Sequence, residues 1–157
     1  MLVAAMGNAL DHSLYTPRLR LEPVTPALAE AARAGQAAFA DVIGAEAPAE
    51  WCASSLQLVA RSVPETWGKA APTRAIAVHR AEGAVIGDVR FEPSLRAARE
   101  FEIGYSIARS RRRQGYAVEA AGAVIDWLFE DGGADTILAG CDSRNVASVR
   151  NLRRVGF

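Results

Sequence analysis

A chain of 157 residues with 50% apolar and 23% charged side chains has the size and balance of one domain with a full hydrophobic core. Lys plus Arg and Asp plus Glu both number 18, so the formal net charge is zero, and no global field argues for nucleic acid or a membrane surface. Cys52 and Cys141 stand far apart outside any CxxC pair, and His12 and His79 are isolated, so the spacing supports neither a disulfide framework nor a metal site.

Met1 to Ala9 is mildly apolar but lacks a basic n-region and the length of a membrane span, so residues 1–14 read as a loose extension of a cytoplasmic protein. Residues 16–24 alternate, with Leu19 and Leu21 inward and Arg18 and Arg20 outward, which predicts a first strand. Thr25-Pro26 then supplies an N-cap and a proline at the first helical position for a helix over 27–34. Gly35 closes it, and a second helical piece runs over 36–43 to Gly44.

Residues 48–61 form a third helical stretch, with Trp51, Ser55, Leu58 and Val59 near one face. Residues 64–72 read as loop, where Trp67 is either a core plug or a pocket wall, packing being the commoner use of tryptophan. A hairpin follows, with strands over 73–80 and 85–91 joined at Ala81-Glu-Gly-Ala84. A polar connection, 92–100, leads to a strand over 101–107, then to a basic turn and an apolar-periodic helix over 117–129 that ends at Asp131-Gly-Gly133. A short strand over 136–141 and a last helix over 145–155 complete the pattern. Hairpin strands first, then strand–helix–strand–helix, imply an α/β domain spanning 1–157: a mixed, mostly antiparallel sheet with helices on both faces.

The basic turn is the segment with chemistry. Arg109, Arg111, Arg112 and Arg113 crowd the start of a helix, where cations oppose the macrodipole unless an anion offsets them. Strand, glycine-containing turn and helix start together present main-chain N–H groups to a phosphate, and Gly115 has no Cβ to keep a pyrophosphate off the backbone. Runs of arginine are otherwise solvated surface. A nucleotide or nucleic-acid phosphate is disfavoured: no GK(S/T) follows the turn, no acidic residue stands at ribose spacing, and no aromatic–basic interleaving occurs.

Four stretches in order resemble the GNAT acyl-CoA N-acyltransferase superfamily, with the nearest likeness to its ribosomal-protein N-terminal acetyltransferase-like branch. They are Thr16-Pro-Arg-Leu-Arg-Leu, Glu102-Ile-Gly-Tyr-Ser-Ile107, Arg112-Arg-Gln-Gly-Tyr-Ala117 with Glu119-Ala120, and Asn145-Val-Ala-Ser148 with Leu152 and Gly156-Phe157. The third matches the (Q/R)xxGx(G/A) signature and the fourth an NxxS…LxxxGF ending.

The resemblance implies acetyl-CoA as co-substrate, no metal, and transfer of the acetyl group to a primary amine on a small molecule or a protein N-terminus. It implies main-chain N–H groups of Arg113, Gln114, Gly115, Tyr116 and Ala117 around the pyrophosphate, with charge from Arg112. It also implies an N–H near Ile107 polarising the thioester carbonyl. Glu102 is the first choice of base and Glu92 the second, each otherwise a solvated strand-end charge. Where many relatives carry a tyrosine donor this chain has Leu152, and Ser148 takes the general-acid role, its alternative being an ordinary helix serine. Asn145 either bonds the pantetheine or caps the last helix. Arg113 replaces a frequent glycine and is expected to avoid positive φ. The family pattern continues past Gly156-Phe157 into a further hairpin, so the sheet is expected to lack its last strands. An open edge would then be left for a partner chain such as a homodimer mate, and a coenzyme A-binding module without turnover is the alternative function.

Overall fold

The computed structural model describes residues 10–62 and 73–157. The predicted loop with Trp67 lies outside them. Six strands form one sheet in sequential order: β1 (Leu14–Tyr15), β2 (Leu19–Pro23), β3 (Arg74–His79), β4 (Ala84–Pro93), β5 (Glu100–Ile107) and β6 (Thr136–Ala139). The first five are antiparallel, and β6 joins β5 in parallel. That parallel pair needs a crossover, which α4 (Tyr116–Glu130) supplies. The remaining helices are α1 (Pro26–Ala34), α2 (Gln36–Ile43), α3 (Ala49–Ala60) and α5 (Val146–Arg154), with a single 3-10 turn at Arg109–Arg111.

The helix ends follow their residues. The Thr25 hydroxyl accepts from Leu28 N–H at the start of α1, with Pro26 in the first turn. Gly44 closes α2 in the left-handed conformation, φ 65°. The first strand is shorter than its pattern suggests. Pro17 interrupts it, and Thr16 N–H bonds Leu19 C=O at 2.9 Å to make a turn between β1 and β2. Leu10, expected within a loose extension, is fully buried in the core.

Both sheet faces are covered. Leu19, Leu21, Ala77, Phe91 and Ile103 pack with Ala120, Val124, Trp127 and Leu128 of α4. On the other face Ile76, Val78 and Val85 pack with Leu28, Phe39, Trp51 and Val59 of α1–α3. A buried polar cluster pins that second layer: Trp51 Nε1–H donates to Asp88 Oδ2 at 3.1 Å, and the Arg74 guanidinium pairs with Asp88 Oδ1. Burial pushes the Asp88 carboxyl upward, against the opposing pull of Arg74, Trp51 and Ser55.

Two irregularities shape the sheet beside α4. Ala77 pairs with Gly87 and Val78 with Val85, so Ile86 is an extra residue, a bulge in β4. Its carbonyl accepts from Ala108 N–H at 2.8 Å, just beyond the end of β5. Gly87 faces Ile107 across the strands. A Cβ at Gly87 would collide with the Ser106 carbonyl and lie 2.7 Å from Ile107 Cδ1, so the close approach of β4 and β5 requires glycine there.

Candidate active site

β5 and β6 pair only over Glu100–Ile103 and Thr136–Ala139. Beyond Ile103 they separate, and among the described residues no strand neighbours the edge of β5 facing away from β4 over Gly104–Ile107. A cavity of about 810 Å³ opens there, bounded by β5, the turn before α4, and α5. Among the described residues, five arginines line it (Arg111, Arg112, Arg113, Arg150 and Arg154) and no carboxylate does.

The turn is built from alternating backbone conformations. Arg112 is extended, Arg113 left-handed at φ 63°, and Gly115 left-handed at φ 82°. The expectation that Arg113 avoids positive φ is therefore wrong. The chain keeps the shape a glycine would give and accepts the strain of an L-residue, about 1 kcal/mol or more. In return, the N–H groups of the turn and the helix start stay outside the helical ladder. Among the described residues, the N–H groups of Arg113, Gln114, Gly115, Tyr116 and Ala117 meet no acceptor of the protein.

The arginines are partly offset from within the chain. Arg111 pairs with Glu82 at 2.5 Å, which holds the Glu82 carboxyl below its usual range. Arg112 Nε–H donates to Ile107 C=O at 3.0 Å. Behind the turn, Glu119 of α4 accepts from Thr16 Oγ1 at 2.6 Å, Arg18 N–H at 2.9 Å and Arg18 Nε–H at 2.6 Å. Burial pushes the Glu119 carboxyl up, but these donors outweigh it and the net direction is down.

Of the residues singled out in the sequence, Ile107, Arg112, Arg113, Gly115, Tyr116, Ala117, Asn145 and Ser148 come together on the cavity wall. Gln114 does not line it; its side chain turns back to Ser110 C=O at 3.4 Å. Asn145 Oδ1 accepts from Ser148 N–H at 3.1 Å, so the cap of α5 is made, on the cavity wall. Glu92 and Glu102 are directly opposite each other across β4 and β5 and lie outside the cavity lining. By strand alternation Glu102 faces the α1–α3 side of the sheet, opposite to Ile103 and Tyr105. Glu92 is held by Arg90 at 2.9 Å.

Tyr105 was legible in the sequence only as part of a strand. Its hydroxyl lies 3.1 Å from Ser148 Oγ, so two hydroxyls from different elements meet in the cavity. Arg150 and Arg154 were likewise missed: they stand four residues apart on α5, and only the placement of that helix brings them to the site.

The family model described as "Acetyltransferase (GNAT) domain" matches residues 18–157. An uncharacterized N-acetyltransferase of Bacillus subtilis strain 168, YjdG, is 29% identical over 148 residues, 92% of this chain and 88% of its own length. A ribosomal-protein-serine acetyltransferase-like structure from Vibrio cholerae superposes with a TM-score of 0.65 at 23% identity, covering 95% of this chain and 84% of that one. The microcin C7 self-immunity acetyltransferase MccE, solved with acetyl-CoA and AMP, superposes at TM-score 0.59 and 17% identity, over 90% of this chain and 79% of that one. At such identities the structures speak for the fold, and the family model speaks for the family: the chain belongs to the GNAT acetyltransferases.

Proposed function

We propose that the protein binds acetyl-CoA in the arginine-lined cavity and transfers its acetyl group to a primary amine by direct attack. One observation carries this reading: among the described residues, five consecutive main-chain N–H groups, 113–117, meet no acceptor and follow a strand edge that no other strand pairs. A pyrophosphate suits that cup, and an extended amide-bearing arm suits the edge of Gly104–Ile107 as an added strand would. The five arginines and the missing Cβ at Gly115 favour the same occupant.

An arm laid along β5 away from the cup brings its thioester toward the point where β5 and β6 part, next to Glu102. An incoming ammonium loses its proton to Glu102, with Glu92 beside it as the second carboxylate. The neutral nitrogen attacks the carbonyl carbon, a C–N bond forms and the C–S bond breaks. A main-chain N–H on the β5 edge near Ile107 polarises the carbonyl oxygen as charge develops. As the amide forms, the nitrogen sheds its surplus proton, and Ser148, hydrogen-bonded to Tyr105, gives a proton to the departing thiolate and regains one from the nitrogen, so the serine ends as it began. The two facing carboxylates suit a cationic amine, whether on a small molecule or at a protein N-terminus.

The test is thiol release from acetyl-CoA over a broad panel of amines, with calorimetry of coenzyme A binding alongside. Amine-dependent thiol release is the expected result. Binding without turnover on any amine would leave only a coenzyme A-binding module, and absence of binding near millimolar cofactor would remove both readings.

A further inference from the structure

The ion pair between Arg18, on the turn before β2, and Glu119, in the first turns of α4, does more than join two elements 101 residues apart. Arg18 Nη1–H also donates to Gln114 C=O at 2.9 Å. A trans peptide holds its C=O and N–H on opposite sides, so fixing the Gln114 carbonyl toward Arg18 turns the Gly115 N–H away from it. Gly115, unlike Gln114, is on the cavity wall. Glycine left-handed at φ 82° has little intrinsic preference for this peptide orientation over a flipped one.

The guanidinium is itself clamped. Its Nε and Nη2 meet Glu119 Oε2 at 2.6 Å, and its plane lies over the Tyr116 ring with 4.3 Å from Cζ to the centroid. Tyr116 also meets the His79 ring in a T-shaped contact, centroids 5.6 Å apart. Thr16 Oγ1 and Arg18 N–H fill the other Glu119 oxygen, so the carboxylate is fully committed to this one arrangement. Arg18 Nη2 also lies 3.4 Å from where a Gly115 Cβ would be, which places the guanidinium directly behind the turn.

We propose that Arg18 and Glu119 are positioning residues for the cofactor: they form a latch that sets the Gln114–Gly115 peptide so that its N–H faces the phosphate. This rests on the proposed function above, since it assigns the occupant of the cup. Neither side chain lines the cavity, and both act through the peptide they hold.

Glu119→Gln keeps the shape and removes the charge, while Arg18→Lys keeps the charge and removes the fork that reaches Glu119 and Gln114 together. Calorimetry with coenzyme A and with pantetheine, which lacks the pyrophosphate, separates the latch from general loosening of the fold. The expected result is a loss of about tenfold or more in coenzyme A affinity for each variant, the scale of one misdirected charge-assisted hydrogen bond. Pantetheine affinity stays within about twofold by the same reasoning. In steady state the KM for acetyl-CoA rises in parallel while kcat at saturating cofactor holds. Coenzyme A affinity unchanged in both variants would overturn the latch while leaving the proposed function intact, and so would equal losses for coenzyme A and pantetheine. Wild-type protein that does not bind coenzyme A would overturn the proposed function, and the latch with it.

Discussion

Glu119, Asp88 and Ser148 show three different uses of a polar side chain in one small domain. Glu119 carries a lowered pKa in the folded protein, so its stabilisation is present above the free glutamate value, about 4.3, and is lost as pH falls through the folded value. The stability difference between wild type and Glu119→Gln is therefore expected to be constant in urea unfolding from pH 6 to 8 and to shrink in more acid solution. Asp88 is 1% exposed and serves the fold. Asp88→Ala strands a buried Arg74 guanidinium and is expected to cost about 3–5 kcal/mol in chemical denaturation, the range for breaking a buried pair. Ser148 and Tyr105 belong to the proposed chemistry. Ser148→Ala is expected to lower kcat by roughly a hundredfold, the scale of general-acid catalysis, and Tyr105→Phe by less, with the KM for acetyl-CoA moving little in either. A KM effect without a kcat effect would reassign this hydroxyl pair to cofactor binding.

At the scale of elements, the helices were legible because their stops and starts are local. Thr25-Pro26, Gly35 and Gly44 act within one turn of chain, and each sits where its chemistry predicts. The strand pairings and the basic turn were legible in order but not in detail. The Ile86 bulge has no sequence signal beyond Gly87, and the left-handed Arg113 runs against the ordinary preference of its residue type. Both depend on what neighbouring elements impose after folding. Gly87 gives a direct test of how β4 shapes the cavity wall. Gly87→Ala forces the Ser106–Ile107 edge away from β4, and is expected to cost about 1–3 kcal/mol of stability, as overpacking does. It should weaken pantetheine as well as coenzyme A, in contrast to the latch variants. A stable variant with unchanged pantetheine affinity would show that this edge does not carry the arm.

For the molecule as a whole, the α/β architecture, with a mostly antiparallel sheet covered on both faces, was readable from alternation and helical period. Those patterns record which face of each element is buried. The turn proposed to hold a phosphate was readable as a turn before a helix because one short segment carries it. The parts that were not readable are assembled from distant segments: Arg18 with Glu119, Tyr105 with Ser148, and Arg150 and Arg154 with the basic turn. No spacing rule joins residues a hundred positions apart, and only the sheet, by fixing where β2, β5 and α5 lie, brings them to one cavity. The choice between Glu102 and Glu92 also belongs to this scale, since the two carboxylates face each other and differ chiefly in the Arg90 contact.

Main-chain N–H groups of residues 113–117 are proposed to hold the cofactor's phosphates. Amide-resolved NMR during a coenzyme A titration, repeated with pantetheine, tests it most directly. Large downfield proton shifts are expected at Arg113 to Ala117 with coenzyme A, and little change there with pantetheine, which instead perturbs Gly104 to Ile107. Coenzyme A that binds while leaving the amides of 113–117 unmoved would contradict it.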